Sequence, residues 1–386
     1  MLFSDIARSD DSSKRATETD FAFLDRCAWQ SVGRIRNFIE ACLEQYPSAE
    51  RDELIARLRS GDARHFGSAT FELFLHEYLL RLGCRLMLHP ELQNASQRRP
   101  DFKVTCSDGQ SLYLEAVSAS DDDGRDPAGE ARKAIALHIL DSTSHPRFMV
   151  AIDSEGSPAT QPSGRRLACE VVRWLDSLDA DGLLSRLREK GLNSLPEMVW
   201  RHEDWAVRVR AIPIKAEMRG RDRRLIGIRN FGFGWIDGWT PIRKAVSTKT
   251  RRYGDLDLPL VVAVNVSTFT LDPIDAAQAL FGEERCIFGG GDLDSEPRFE
   301  RKPNGAWRGP AGPHGRRCSA AWLFDNVSPF TLRRRNHTLY VNPWAYRPVP
   351  ESFLRMPRAL VVDGSLKRID GICLKDVFGL NDTWPE

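Results

Sequence analysis

RRPDFKVTCSDGQSLYLEAVSAS, residues 98–120, is the stretch from which the fold of this chain is read. Two runs of strand-forming residues, 101–106 and 111–119, are separated by the turn residues Ser107, Asp108 and Gly109. Strands joined by so short a turn must pair antiparallel, side by side. Asp101 opens the first strand and Glu115 lies inside the second, so their carboxylates can converge at one edge of a sheet. Two converging carboxylates invite a divalent metal, because hard cations take oxygen ligands.

Upstream, the apolar spacing predicts a helix from about Ser68 to Leu82, capped by Gly83, and a strand over 85–89. The helix is apolar nearly all round, so it should be buried on most sides. Glu72 falls at the edge of its apolar arc, either as a partly desolvated functional acid or as a salt-bridged surface residue. Downstream, an acidic loop at 121–123 precedes a helix over about 128–140 and the strand RFMVAID at 147–153. A helix near 165–178 and strand-like segments at 197–201 and 205–214 follow. From Gly238 to Gly282 the boundaries are sharp: Thr240 suits an N-cap, Pro241 the first helical position and Gly254 the C-terminal cap. LPLVVAVNV, 258–266, is a continuous apolar run typical of a parallel strand covered on both faces, and Asp272-Pro273 opens another helix through Phe281. A long glycine- and proline-rich loop is expected over 282–315. Strands follow at 319–324 and 338–341, and a hairpin turns at Asp363-Gly364.

Composition sets the class. With 386 residues, 41% hydrophobic and 28% charged, the chain has the make-up of a soluble globular protein with room for two or three compact units. The formal net charge of +1 provides no bulk field for nucleic acid, so such a site must be a local basic patch. Eight cysteines occur without a CxxC pair, which argues against structural zinc. No apolar run reaches the ~18 residues of a membrane span, and the polar N-terminus does not resemble a secretory signal; a cytoplasmic protein with no membrane partner is expected. Residues 1–19 are rich in Ser, Asp and Thr and predict a disordered leader, followed by a helical extension over 20–64. No Walker loop, GxGxxG, HExxH or nucleophile elbow competes.

The order Glu72, then Pro100-Asp101, then Glu115, carried on helix-strand-strand-strand, resembles the PD-(D/E)xK nuclease superfamily over roughly residues 67–153. The resemblance implies an α/β fold of the restriction-endonuclease-like type, a mixed sheet flanked by helices. It also implies magnesium or manganese, a nucleic-acid substrate with DNA preferred, hydrolysis of phosphodiester bonds, and service in restriction or defence. By this resemblance Asp101 and Glu115 hold the metal and Glu72 is the acid of the first core helix. The core would then span 65–285 with an insertion at about 155–238, and 286–386 would be a loop and a β-containing C-terminal extension packed on the core.

The superfamily places a lysine two residues after the second acid, but this chain has Val117 there. Residues 115 and 117 share a strand face, so the expected cation is missing from it. Among the ten lysines, Lys249 is the preferred replacement. At about 100° per residue it shares an inward arc with Ile242, Ala245, Val246 and Tyr253, where a lysine must snorkel or meet an acid. Lys244, on the opposite face, is the solvated control. Lys103, on the strand face of Asp101, is the runner-up; Lys133, in a charged first turn with a solvent-facing position expected, is third. Arg98, Arg99, Arg243, Arg251 and Arg252 are candidates for phosphate contact, as are the runs Arg219–Arg224, Arg316–Arg317 and Arg333–Arg335; Trp235, Trp239, Trp307 and Trp344 are candidates for base stacking. The alternative that Val117 favours is a catalytically inactive nuclease-fold module that binds nucleic acid or a protein partner.

Overall fold

The computed structural model describes every residue except 16–17, 95–96, 120–126, 220–224, 231–238, 268–270, 288–297, 364 and 386. In chain order, helices α1 (Asp20–Arg26), α2 (Gln30–Gln45), α3 (Ser48–Arg59) and α4 (Ala63–Arg81) precede strands β1 (Arg85–Leu88), β2 (Phe102–Thr105) and β3 (Ser111–Ala119). Next come α5 (Pro127–Asp141), β4 (Phe148–Glu155), α6 (Gly164–Asp176), α7 (Ala180–Lys190), β5 (Glu197–His202), β6 (Trp205–Pro213) and β7 (Ile226–Asn230). The chain continues through α8 (Trp239–Arg251), β8 (Leu260–Val266), α9 (Pro273–Phe281), β9 (Glu284–Ile287), β10 (Arg298–Arg301), β11 (Arg308–Gly309) and β12 (Gly312–Pro313). It closes with β13 (Cys318–Asp325), β14 (His337–Val341), β15 (Arg358–Val362), β16 (Ser365–Ile369) and α10 (Leu374–Phe378).

The chain divides into two compact units. The larger comprises Met1–Ser13, Thr19–Asp123 and Asp237–Glu386 and is built on an eight-stranded sheet of order β1-β2-β3-β8-β13-β14-β15-β16. Antiparallel and parallel pairs mix within it: β1, β2 and β3 form an antiparallel meander, whereas β8 runs parallel to both β3 and β13. A parallel neighbour of β3 needs a crossover on one face of the sheet, and α8 supplies it. Every residue of β8 is buried, as a strand covered on both faces requires.

Alternation along the strands sends side chains into two layers. Phe102, Val104, Leu112 and Leu114 join a core with Phe71, Leu75 and Tyr78 of α4 and with residues of α1–α3. Tyr113, Leu260, Val262 and Val264 join the opposite core, with Ile242, Val246 and Tyr253 on the α8 side and Leu280 of α9. The chain of the larger unit is thus a mixed α/β layer structure in which the sheet is flanked by helices.

Three expectations change. The leader is ordered where it is described: Leu2 and Phe3 are buried, their amides donate to Glu40, and Arg8 pairs with Asp25 at 3.1 Å. The polar and charged residues of this segment conceal two apolar anchors, Leu2 and Phe3, that dock it. The inserted unit begins earlier than residue 155. It takes Lys14–Glu18 and Gly124–Ile236, so β4 belongs to a separate four-stranded sheet of order β5-β6-β4-β7, and α5 joins that unit's own core of Leu137, Phe148, Val171 and Trp205. The C-terminal strands β13–β16 are half of the main sheet rather than an extension laid on it. No helix among the described residues is long and apolar enough to cross a membrane.

Candidate active site

The β2–β3 register pairs Phe102 with Leu114, and continuing it by one residue sets Asp101 opposite Glu115. Asp101 lies just outside the strand, so its carboxylate takes over a ladder contact: Oδ2 accepts the backbone N–H of Ala116 at 2.7 Å. Oδ1 accepts no hydrogen bond among the described residues. Glu115 points into the layer under α8. Its Oε1 accepts from the Lys249 ammonium and, at 3.4 Å, from Arg252 Nη1, while Oε2 accepts from the Tyr253 hydroxyl.

Local sequence explains how α8 presents these groups. Ile242 and Val246 anchor its apolar stripe, and Lys249 and Tyr253 continue that stripe at steps of three and four residues. Lys244, on the opposite face, is exposed. Gly254 adopts φ +69°, a left-handed conformation suited to ending a helix. The Asn94 side chain then secures the end by donating to the carbonyls of Tyr253 and Asp255 at 2.9 and 2.6 Å. Lys249 is drawn in by Glu115 as its aliphatic stem covers the sheet; its side chain keeps 17% exposure against 2% for Glu115.

Glu72 approaches from α4, on the other layer. It is buried rather than exposed, and both oxygens are engaged: Oε1 by the Tyr46 hydroxyl at 2.7 Å and Oε2 by Arg57 at 2.7 Å. Burial, reinforced by the Glu115 carboxylate, pushes the Asp101 carboxyl up to about 7. The Ala116 amide opposes that rise, Glu72 adds to it and Lys249 opposes it, so Asp101 lies within electrostatic reach of all three other predicted site residues. Tyr253 is pushed up by burial and by Glu115, and Tyr46 by burial and by Glu72. Both phenols therefore stay protonated and serve as donors.

The structure brings Glu72, Asp101, Glu115 and Lys249 into one neighbourhood and leaves the other lysine candidates out of it. Lys103 is half-buried and makes no ion pair among the described residues. Lys133 is buried in the second unit, contrary to the solvent-facing position expected of it. Of the arginines, Arg252 joins the site, Arg99 pairs with Glu91 at 2.6 Å, and Arg243 donates to Asn304 O while lying over the Trp239 ring. Arg98 and Arg251 are exposed. Arg219 pairs with Asp181, whereas positions 221–224 and Trp235 lie outside the described residues. Trp307 is fully buried in the α8-side core and cannot stack on a base.

Sequence reasoning missed Tyr46 and Arg57 as partners of Glu72. Neither carries a motif, and both come from helices that read as a packing appendage. Tyr253 was visible as a residue on the same inward arc as Lys249, but the engagement of its hydroxyl with Glu115 was not. A further cluster was missed: ligand atoms of Glu50, Glu53 and His89 lie within 4.8 Å of one another. The two glutamates are one helical turn apart on α3, and His89 stands next to the site, its N–H donating to Asp101 O at 3.0 Å. Such clusters of accessible acids are common without an ion, and nothing in the chain's local spacing singles this one out.

The residues fit a divalent cation at Asp101 and Glu115. Burial and the neighbouring Glu115 carboxylate make ionising Asp101 costly, a cost that a bound cation relieves, and Asp101 Oδ1 is open to take it. Compared with protein families, with curated proteins and with solved structures, the chain matches none.

Proposed function

We propose that the chain is a metal-dependent hydrolase of phosphodiester bonds in nucleic acid, DNA foremost, built on a restriction-endonuclease-like core. The observation that carries this reading is the meeting of Lys249 with Glu115 across from Asp101, since it supplies a cation to the strand face that Val117 leaves without one. Asp101 and Glu115 would hold magnesium or manganese. Such an ion, when bound, lowers the pKa of its water and stabilises charge on phosphoryl oxygens. Lys249 is suited to orient the attacking water and to neutralise the phosphate, because an ammonium has three donors and Glu115 engages one. Arg252 and Tyr253 hold Glu115 in place. Glu72, tied to Tyr46 and Arg57, adds from the far side to the negative potential that Glu115 sets at Asp101.

A second reading rests on the same carboxylate. Both oxygens of Glu115 already have donors, as they would in an inactive module that binds nucleic acid or protein through this fold. Cleavage of plasmid and single-stranded DNA with magnesium or manganese decides between the two. The wild type is expected to cut, and Asp101→Ala and Glu115→Ala to abolish cutting; cleavage indifferent to both substitutions would overturn the nuclease reading, and no cleavage by the wild type would favour the inactive module.

A further inference from the structure

The flank of α8 turned away from Glu115 borders a cavity of about 360 Å³. Ser247 and Arg251, one helical turn apart, form one wall, and the segment leading into β13 forms the other, with Arg316, Arg317 and Tyr346. Three guanidinium groups converge here. Arg317 alone has a carboxylate partner among the described residues, Asp255 at 2.9 Å, and that acid's side chain is 90% exposed. Arg316 donates from Nε to Trp344 O, and its guanidinium carbon lies 4.6 Å from the centre of the Tyr346 ring. The ring of Tyr346 is itself 62% exposed. Arg251 is exposed and makes no ion pair among the described residues, and the Ser247 hydroxyl makes no hydrogen bond among them.

A solvated arginine face would scatter its charges over convex surface. Here they line a concavity whose volume falls at the lower end of the range of small-ligand sites, beside an aromatic ring stiffened on one face by a stacked guanidinium. Arginines with one open aromatic face match a nucleotide: phosphate oxygens take the forked donors, and the base stacks on the ring. Stacking of this kind demands an unpaired base. We propose that this cavity binds a nucleotide of a single-stranded segment, with its phosphate at Arg251, Arg316 and Ser247 and its base on Tyr346, and so defines the substrate as a strand that is unpaired beside the cleavage site. The geometry places the cavity one helix width, ~10 Å, from the Lys249 flank. As a statement about substrate the inference rests on the nuclease reading, but the binding itself does not.

The test is fluorescence anisotropy in EDTA, which removes cleavage from the measurement. Labelled oligodeoxyuridylate, oligouridylate and a DNA duplex of equal length are titrated with wild type, Tyr346→Ala and Arg251→Ala/Arg316→Ala. The wild type is expected to prefer one or both single strands, the two arms showing whether the sugar matters. Tyr346→Ala should weaken single-strand binding ~10-fold, the loss of one stacked base. The arginine pair should flatten the salt dependence of binding by about 0.7, the slope of one neutralised phosphate on a single strand. Tyr346→Ala removes only an exposed ring and guards against misfolding of the arginine variant, with melting curves as a check. Unchanged single-strand affinity in all variants, or a duplex bound as tightly as a single strand, overturns the inference. If the variants lose binding while the wild type fails to cleave with metal, the nuclease reading falls and the nucleotide site stands.

Discussion

Glu115 and Glu72 are held by nearly the same set of groups. Each is a buried carboxylate with a tyrosine hydroxyl on one oxygen and a cation on the other, and Asp101 senses both. The cations differ. Arg57 also reaches Glu53 at 3.6 Å, and its planar fork is suited to a fixed pair that ties α3 to α4. Lys249 is a compact charge with donors left over, on a stem that can shift its ammonium when a metal or a phosphate arrives. The difference teaches that burial of an acid beside a cation does not by itself separate a structural pair from the reactive one proposed at Glu115, whereas the kind of cation gives a physical ground for doing so.

The largest effect is expected where the comparison is broken at the carboxylates. Glu115→Gln should lower metal-dependent cleavage by roughly 10³-fold, the scale of losing a transition-state electrostatic contact, and Glu72→Gln by ~10-fold or less. Single-turnover cleavage measures both, and equal losses would erase the distinction. Manganese titration locates the ion: Asp101→Asn should lose the site and His89→Ala retain it, whereas the reverse would move the metal to Glu50, Glu53 and His89.

Replacing the cations sharpens the contrast. Lys249→Met leaves a buried carboxylate short of its partner and should destabilise the metal-free protein by ~3 kcal/mol, less whatever Arg252 recovers. Because the missing ammonium can be replaced by a divalent ion, manganese should raise the melting temperature of this variant more than that of the wild type. Arg57→Met should show no such rescue.

The two sides also respond to pH with opposite signs. His76 lies tilted against Tyr46, ring centres 4.8 Å apart, and burial lowers it from 6.5 to about 4. A base depressed in the folded state contributes stability that is full above 6.5 and is lost as pH falls toward 4, by about 3 kcal/mol at ~1.4 kcal/mol per unit. Asp101 is an acid raised from 3.8 to about 7, so its contribution is full below 3.8 and is lost as pH rises through 7. Melting curves from pH 4 to 8 in EDTA should flatten at the acid end in His76→Phe and at the neutral end in Asp101→Asn. The smallest effects belong to the hydroxyls. Tyr46→Phe and Tyr253→Phe should each cost about 1–2 kcal/mol, and only Tyr253→Phe should alter manganese affinity.

Much of the larger unit is legible in local pattern. The turn Ser107-Asp108-Gly109 fixed β2 against β3, and with it the opposition of Asp101 and Glu115. The unbroken apolar run of β8 announced a strand covered on both faces, and the helical arc of α8 pointed Lys249 inward. What local pattern cannot show is which chain segments share a sheet. Strand RFMVAID has the same alternation wherever it pairs, so its place in a second sheet is set by partners β6 and β7 rather than by its own residues. The cage around Glu72 was hidden for a related reason. Tyr46 and Arg57 are ordinary helix residues whose role exists only once α2, α3 and α4 pack together.

The lysine that answers Glu115 stands 134 residues away in the chain. A parallel crossover needs only about a dozen residues, so the connection is between three and four doublings longer than necessary. At ~0.6 kcal/mol per doubling, that excess costs ~2 kcal/mol of chain entropy, and less if the intervening unit, which has its own core, closes most of the loop by folding. The segment between β3 and α8 is therefore a place where a lineage can gain, exchange or lose a whole folded module at little thermodynamic penalty to the carboxylates on either side. Under the proposed nuclease reading, a cation carried on a helix rather than on the strand leaves the chemistry independent of what is threaded between the two halves of the site.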